Sequence, residues 1–413
     1  MLSSRAFVAV PLLALHLLGA QTTVAQPGGR IDLARMRPAG LLIDAYSYMT
    51  PPHSEYYFHH MDELGFRLEW VRRSGPAHAF AQAAGPALNP HFQKAGVTVG
   101  LDEYFARNRV AGLLVLRRDT VLLERYGFGA DRNSRFVSQS VGKSIVGLLV
   151  GAAVARGKIA SVNDPVARYL PDLAESGYRN VTIKQTLQMA TGVDYSEDYR
   201  DSTSGAARIG AALVTGRPGF DEFVRSMKPT AVAPGTKFQY QSVNTQLLGM
   251  LLERVTGMTL AKWAEEVLWS RLGAESDAFF YQAKSQPGTC AFACFNATLR
   301  DYGRIGLLML NRGSVNGRQV VLASWVEEST TADADYLRPG GAGLFGYGYQ
   351  WWIPPGSDGA FMAIGIFGQS IYVNPARRIV IVQTSAWSSP IGAAGEGEDQ
   401  LAMFEAIATG KFQ

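Results

Sequence analysis

Apolar and polar positions change rhythm several times along this chain, and each change marks an element. Val110 to Leu116 and Val121 to Tyr126 are apolar runs flanking the polar Arg117-Arg118-Asp119-Thr120, which predicts a β-hairpin. Val141 to Val150 is then apolar at helical spacing and free of proline, so a buried helix starts near Ser140. Between about Val150 and Asn296 the signals are mainly helical, with Gly157 closing one helix, Asn163-Asp164-Pro165 opening the next and Pro171 ending it. A helix is predicted over Ala297 to Leu310, strands over Gly348 to Ile353, Ser370 to Val373 and Ile379 to Thr384, and a last helix over Glu396 to Ala408. Residues 26–97, rich in proline, glycine and aromatics with little periodicity, are expected to form an N-terminal extension that wraps a domain spanning 98–413. Strands toward both ends and helices between them predict an α/β (α+β) fold. One antiparallel sheet is built from 98–138 and 296–413, and a helical lobe, 139–295, is inserted between them. A cleft between lobes is the natural site.

Composition narrows the function classes. With 413 residues, 47% hydrophobic and 18% charged, the chain can bury a large core and is not disordered. Its net charge of +4 comes from scattered arginines rather than a block, which argues against a nucleic-acid partner. Residues 1–25 read as a secretory signal: Arg5 is the positive start, Phe7 to Ala20 the apolar run, and Thr23-Val24-Ala25 the cleavage site. No later stretch reaches the ~20 uninterrupted apolar residues of a membrane helix, so the expected product is periplasmic or secreted, with no membrane partner after cleavage; the alternative is a retained N-terminal anchor. Export would place the two cysteines, Cys290 and Cys294, in an oxidising compartment, where a bridge is allowed if a turn or helix brings them together.

The candidate chemistry lies at the start of the first buried helix. Residues three apart on a helix share a face, so Ser140 and Lys143 place a hydroxyl beside an amine. A serine hydroxyl is a poor nucleophile at neutral pH, and a lysine held neutral by desolvation can activate it. The backbone N–H groups at the helix start suit the negative charge that develops on a reacting carbonyl oxygen. Every histidine lies at or before His91 and no Gly-x-Ser-x-Gly elbow exists, which disfavours a Ser-His-Asp triad. Gly142-Lys143-Ser144 lacks the upstream glycine of a phosphate loop, since Val137 stands there, and His53 with His59-His60 matches no zinc pattern. No cofactor and no metal are called for.

A second motif follows at Pro234-Gly235-Thr236-Lys237-Phe238-Gln239-Tyr240-Gln241-Ser242, ahead of a helical Thr245 to Thr256. Ser-x-x-Lys marks β-lactamases and penicillin-binding proteins. Together with Tyr240-x-Ser242, the chain resembles the class C β-lactamase-like serine hydrolase superfamily from about Thr98 to its C-terminus. The third motif of that superfamily, Lys-Thr-Gly or His-x-Gly, matches best at Ala363-Ile364-Gly365, where the basic residue is missing. That departure removes the salt bridge to the carboxylate of a β-lactam or a peptide C-terminus and so disfavours β-lactamase and D,D-peptidase activity, and the motif set is most similar to 6-aminohexanoate-dimer (nylon oligomer) hydrolases and esterases of the same fold.

The resemblance implies an acyl-enzyme at Ser140 and a shared proton task for Lys143 and Tyr240, either of which could deprotonate the serine. It implies that Ser242 hydrogen-bonds Lys143, that the N–H groups of Ser140 and Ile366 form the oxyanion hole, and that Gly365 and Gly368 let substrate approach. In the polar loop Asp194 to Asp201, Tyr199 is the candidate to close over the substrate and Tyr195 the second; Trp351 and Trp352 are candidates for the acyl pocket, although alternating strand burial accounts equally well for at least one of them. The partner implied is a small-molecule linear amide or ester. The alternatives are β-lactam or D,D-peptide cleavage, or a non-catalytic penicillin-binding-like module.

Overall fold

The computed structural model describes residues 47–85, 88–282, 288–356, 358–393 and 395–410. The expected secretory segment, residues 1–25, lies outside the described residues. None of the described helices is long and apolar enough to cross a membrane.

Among the described residues the principal sheet has eight strands in the order Gly346–Tyr347, Trp352–Ile353, Phe361–Gly365, Gln369–Asn374, Ile379–Ser385, Val110–Arg117, Thr120–Tyr126 and Ala81–Gln82. The hairpin and the C-terminal strands therefore meet at the pairing of Val110–Arg117 with Ile379–Ser385, which joins the two halves of the chain. All neighbours are antiparallel except Ala81–Gln82, which runs parallel to Thr120–Tyr126. The central strands are buried on both faces because alternate residues meet different layers. Leu113, Val115 and Ile381 pack with Tyr104, Met403 and Phe404 from helices Leu101–Arg107 and Glu396–Thr409. Leu114, Leu116, Val380 and Val382 join the larger core with helix Leu299–Leu310.

The helical lobe carries Val141–Ala155 and Ser242–Thr256, packed against each other, with the shorter helices Ile183–Leu187, Gly205–Thr215 and Phe220–Arg225 around them. Two expectations are corrected here. The mainly helical segment 150–296 also holds a strand, Ala278–Gln282, and Phe295–Thr298 is another, so the following helix begins at Leu299 rather than Ala297. Both belong to a second sheet, ordered Arg67–Val71, Ala278–Gln282, Phe295–Thr298 and Arg135–Val137. Short, wholly buried and mostly apolar runs such as Ala278–Gln282 carry no period that separates a buried strand from a buried helix. The expected strand Gly348 to Ile353 is also broken: pairing covers Gly346–Tyr347 and Trp352–Ile353, and between them Gln350 has φ 64°. Its side chain accepts from Thr245 at 2.6 Å and donates to the Leu187 carbonyl at 2.7 Å, tying that turn to the helical lobe.

Candidate active site

Ser140 stands at the turn between strand Arg135–Val137 and helix Val141–Ala155. Gln139, just before it, is held at φ 45°, a left-handed conformation that costs free energy for a non-glycine residue and clusters at functional turns. The helix then places Lys143 one turn on, where Nζ donates to Ser140 Oγ at 2.7 Å and to the Phe292 carbonyl at 3.0 Å. Phe292 lies in a loop closed by the Cys290–Cys294 disulfide, whose Cα atoms are 5.6 Å apart, so the permitted bridge is present. Sequence gave no hint of Phe292, because a backbone carbonyl leaves no mark on residue type.

Lys143 is 1% exposed, and burial pushes its ammonium down to about 8, against an opposing pull from the Glu197 carboxylate. Tyr240 arrives from the turn before helix Ser242–Thr256 and sets its ring 5.1 Å from Lys143 Nζ. Its phenol is raised well above its ordinary range, first by desolvation and then by Glu197, although a hydrogen bond with Ser140 pulls the other way. Trp352 stacks on the Tyr240 ring at 5.1 Å, and Tyr347 meets it edge-on at 6.1 Å, which fixes the phenol's direction. Ser140, Lys143 and Tyr240 thus converge.

The end of strand Phe361–Gly365 runs beside this group. A β-carbon at Gly365 would lie 2.8 Å from the Ser138 carbonyl and 3.0 Å from Ser140 N, so only glycine lets the strand come this close to the serine turn. Ile366 follows at once, opening the turn Ile366–Gly368, and lines the cleft beside Ser140. Phe367 in that turn is held at φ 62°. Ala363, where the resemblance would put a cation, is fully buried.

Three expected roles are corrected. Ser242 does not reach Lys143; its Oγ donates to Glu197 Oε1 at 2.6 Å and its N–H to Oε2 at 2.7 Å. Ser242 is the first residue of its helix, where N–H groups lack intrahelical acceptors, and a carboxylate satisfies them best. Tyr195 is 3% exposed, packed edge-on against Phe223 and hard against Gly205; its carbonyl accepts from Gln239 and Gln241, so it braces the second motif and lines neither side of the cleft. Gly368, at φ 86°, makes room for the Trp387 ring, 2.5 Å from where its β-carbon would sit, rather than for a substrate. Of the two tryptophans, Trp352 lines the cleft and Trp351 is fully buried in the core. Tyr199 does reach the cleft, with its hydroxyl donating to Glu197 at 2.7 Å.

Neither residue type nor spacing marks Glu197 for a role, although it stands in the polar loop Asp194 to Asp201. It bonds Tyr199 and Ser242 and borders the cleft on both sides of Ser140. Among the described residues no group of three or more His, Cys, Asp or Glu is arranged to hold a metal ion.

The Beta-lactamase family model matches residues 101–402. The chain is 32% identical over 356 residues to the 6-aminohexanoate-dimer hydrolase of Paenarthrobacter ureafaciens, covering 83% of this chain and 88% of that protein. A Bacillus anthracis protein provisionally named a 6-aminohexanoate-dimer hydrolase superposes with a TM-score of 0.80 at 24% identity, covering 88% of this chain and 95% of that one. A family VIII carboxylesterase superposes with a TM-score of 0.57 at 17% identity, covering 74% and 96%. Those two structural matches establish the shared fold.

Proposed function

The chain belongs to the Beta-lactamase family, and from that premise we propose that it is a serine hydrolase that cleaves a linear amide or ester through an acyl-enzyme on Ser140. The observation that carries this reading is the buried amine of Lys143, depressed to about 8, 2.7 Å from Ser140 Oγ.

In its neutral form Lys143 takes the Ser140 proton while Oγ attacks the substrate carbonyl. The N–H groups of Ser140 and Ile366 receive the oxyanion; each such donor is worth ~2.7–4 kcal/mol in comparable sites. Tyr240, whose raised phenol stays protonated, donates its proton to the leaving nitrogen or oxygen, and the Lys143 ammonium restores it. Water then enters, and the same groups run in reverse to release the acid. Lys143, not Tyr240, is the base in this reading, because a phenol pushed upward holds its proton at neutral pH.

The similarity to the 6-aminohexanoate-dimer hydrolase supports an amide or ester substrate over a β-lactam, and the buried Ala363 supports it independently, since no cation stands there to hold a carboxylate. Incubation with a fluorophosphonate followed by peptide mass spectrometry tests the reading. An adduct on Ser140 that vanishes in Ser140→Ala is expected; equal labelling of both proteins refutes it.

We also propose export. The secretory pattern of residues 1–25 and the Cys290–Cys294 bridge, which suits an oxidising compartment, support it. The N-terminus of the protein recovered from the extracytoplasmic fraction should follow Ala25; an intact Met1 in the cytoplasmic fraction would contradict export.

A further inference from the structure

Ser140 lies at the junction of two chambers rather than at the bottom of one. The first, about 490 Å³, is bounded by Tyr240, Phe345, Trp352, Met362, Ile364 and Leu401. The second, about 630 Å³, is bounded by Tyr48, Ala207, Ile209, Gly210, Leu213 and Val214, which come from the residues before His53 and from helix Gly205–Thr215. Both volumes fall within the ~300–1,000 Å³ typical of small-molecule sites. Ser140, Glu197, Tyr199, Ile366 and Pro390 border both chambers and form the waist between them.

The charges around this double cavity have one sign. Among the described residues no lysine or arginine lines either chamber, while Glu197 borders both and Glu398 borders the first. Lys143 lies behind Ser140, occupied by Oγ and the Phe292 carbonyl. A substrate carboxylate entering either chamber would lose its hydration beside a carboxylate and find no cation to replace it. Apolar walls on both sides instead stabilise apolar arms by roughly 0.8 kcal/mol per buried methylene.

Resting on the serine hydrolase reading, we infer that the substrate is a linear amide or ester with apolar arms on both sides of the scissile bond and no carboxylate on either arm. The orientation follows from the proton donor. Tyr240 borders the first chamber only, so the leaving group, which must receive its proton, occupies that chamber, and the acyl arm occupies the one beside helix Gly205–Thr215.

The test compares kcat/KM of the full chain for N-butylhexanamide with that for γ-(hexanoylamino)butyrate, which carries a carboxylate on the leaving arm, and for N-butyl adipamate, which carries one on the acyl arm. The neutral amide should be preferred over each by at least about tenfold. Equal or better turnover of either carboxylate, or no turnover of the neutral amide, overturns the inference. Fluorophosphonate labelling of Ser140 is run on the same preparation. Labelling together with a carboxylate preference sinks the substrate class and leaves the hydrolase reading standing, whereas absence of labelling sinks the reading beneath it. Ala207→Phe, which projects a ring into the acyl chamber, should lower the octanoyl-to-acetyl ratio of kcat/KM for p-nitrophenyl esters by at least about tenfold; an unchanged ratio in a folded, labelled variant overturns the assignment of arms.

Discussion

Lys143 and Tyr240 flank the same hydroxyl, and the protein moves their acidities in opposite directions. Lys143 is enclosed by the helical lobe, and withdrawal from water disfavours its charged form, bringing it down to about 8. Tyr240 is also withdrawn from water, but its charged form is an anion and a second anion, Glu197, is nearby, so both influences push it up. One physical cause, desolvation, thus prepares one neighbour to accept a proton near neutral pH and the other to keep its own. Glu197 pushes both acidities up, opposing desolvation at the lysine and reinforcing it at the tyrosine, so burial rather than this carboxylate separates the two groups.

Removing the hydroxyl between them is the largest perturbation. Ser140→Ala should lower kcat for any ester or amide by roughly 10⁶-fold, by analogy with nucleophile loss in other serine hydrolases. Measurable burst kinetics in that variant would break the scheme. Tyr240→Phe tests the donor side: turnover of an alkyl amide should fall by about 10²–10⁴-fold, and that of a p-nitrophenyl ester by much less, because nitrophenolate leaves without a proton. Equal losses on both substrates would show that the phenol does not serve the leaving group.

The base is tested by pH. The competent form of Lys143 is the neutral amine, whose fraction grows as pH rises, so kcat/KM should climb through a limb near 8 and level off above it. Lys143→Ala should lose about 10²–10⁴-fold in rate and lose that limb as well. A limb that persisted would assign it to another group. Glu197→Gln sharpens the comparison with the smallest expected effect. It leaves an acceptor for the Ser242 N–H but removes the charge that raises Lys143, so the limb should move to lower pH. Movement to higher pH would mean that Glu197 does not act on the lysine as a charge.

Much of this site is legible in the chain because the serine and lysine need only a helix. Three residues of separation on a proline-free apolar segment bring Ser140 and Lys143 together whatever the rest of the fold does. The second motif was legible as a pattern, and its tyrosine meets the serine. Its Ser242 does not meet the lysine, because a carboxylate from a loop 45 residues upstream takes both its N–H and its hydroxyl. The same limit explains Tyr195 and Tyr199: both read as polar-loop tyrosines, but only packing against Phe223 and Gly205 turns the first inward.

By itself, then, the sequence determined what local geometry can enforce, namely the hairpin, the nucleophile helix and the serine–lysine pair, while the family resemblance marked Ala363 as standing where a cation is expected. Tertiary structure decided what depends on groups far apart in the chain. It brought the Phe292 carbonyl to Lys143, placed Glu197 at the waist of two apolar chambers, and set the two acidities apart through burial. The physical reason is that helix and hairpin contacts are fixed by residue spacing. Desolvation and electrostatic coupling depend on which distant surfaces meet, and no short stretch of residues records that.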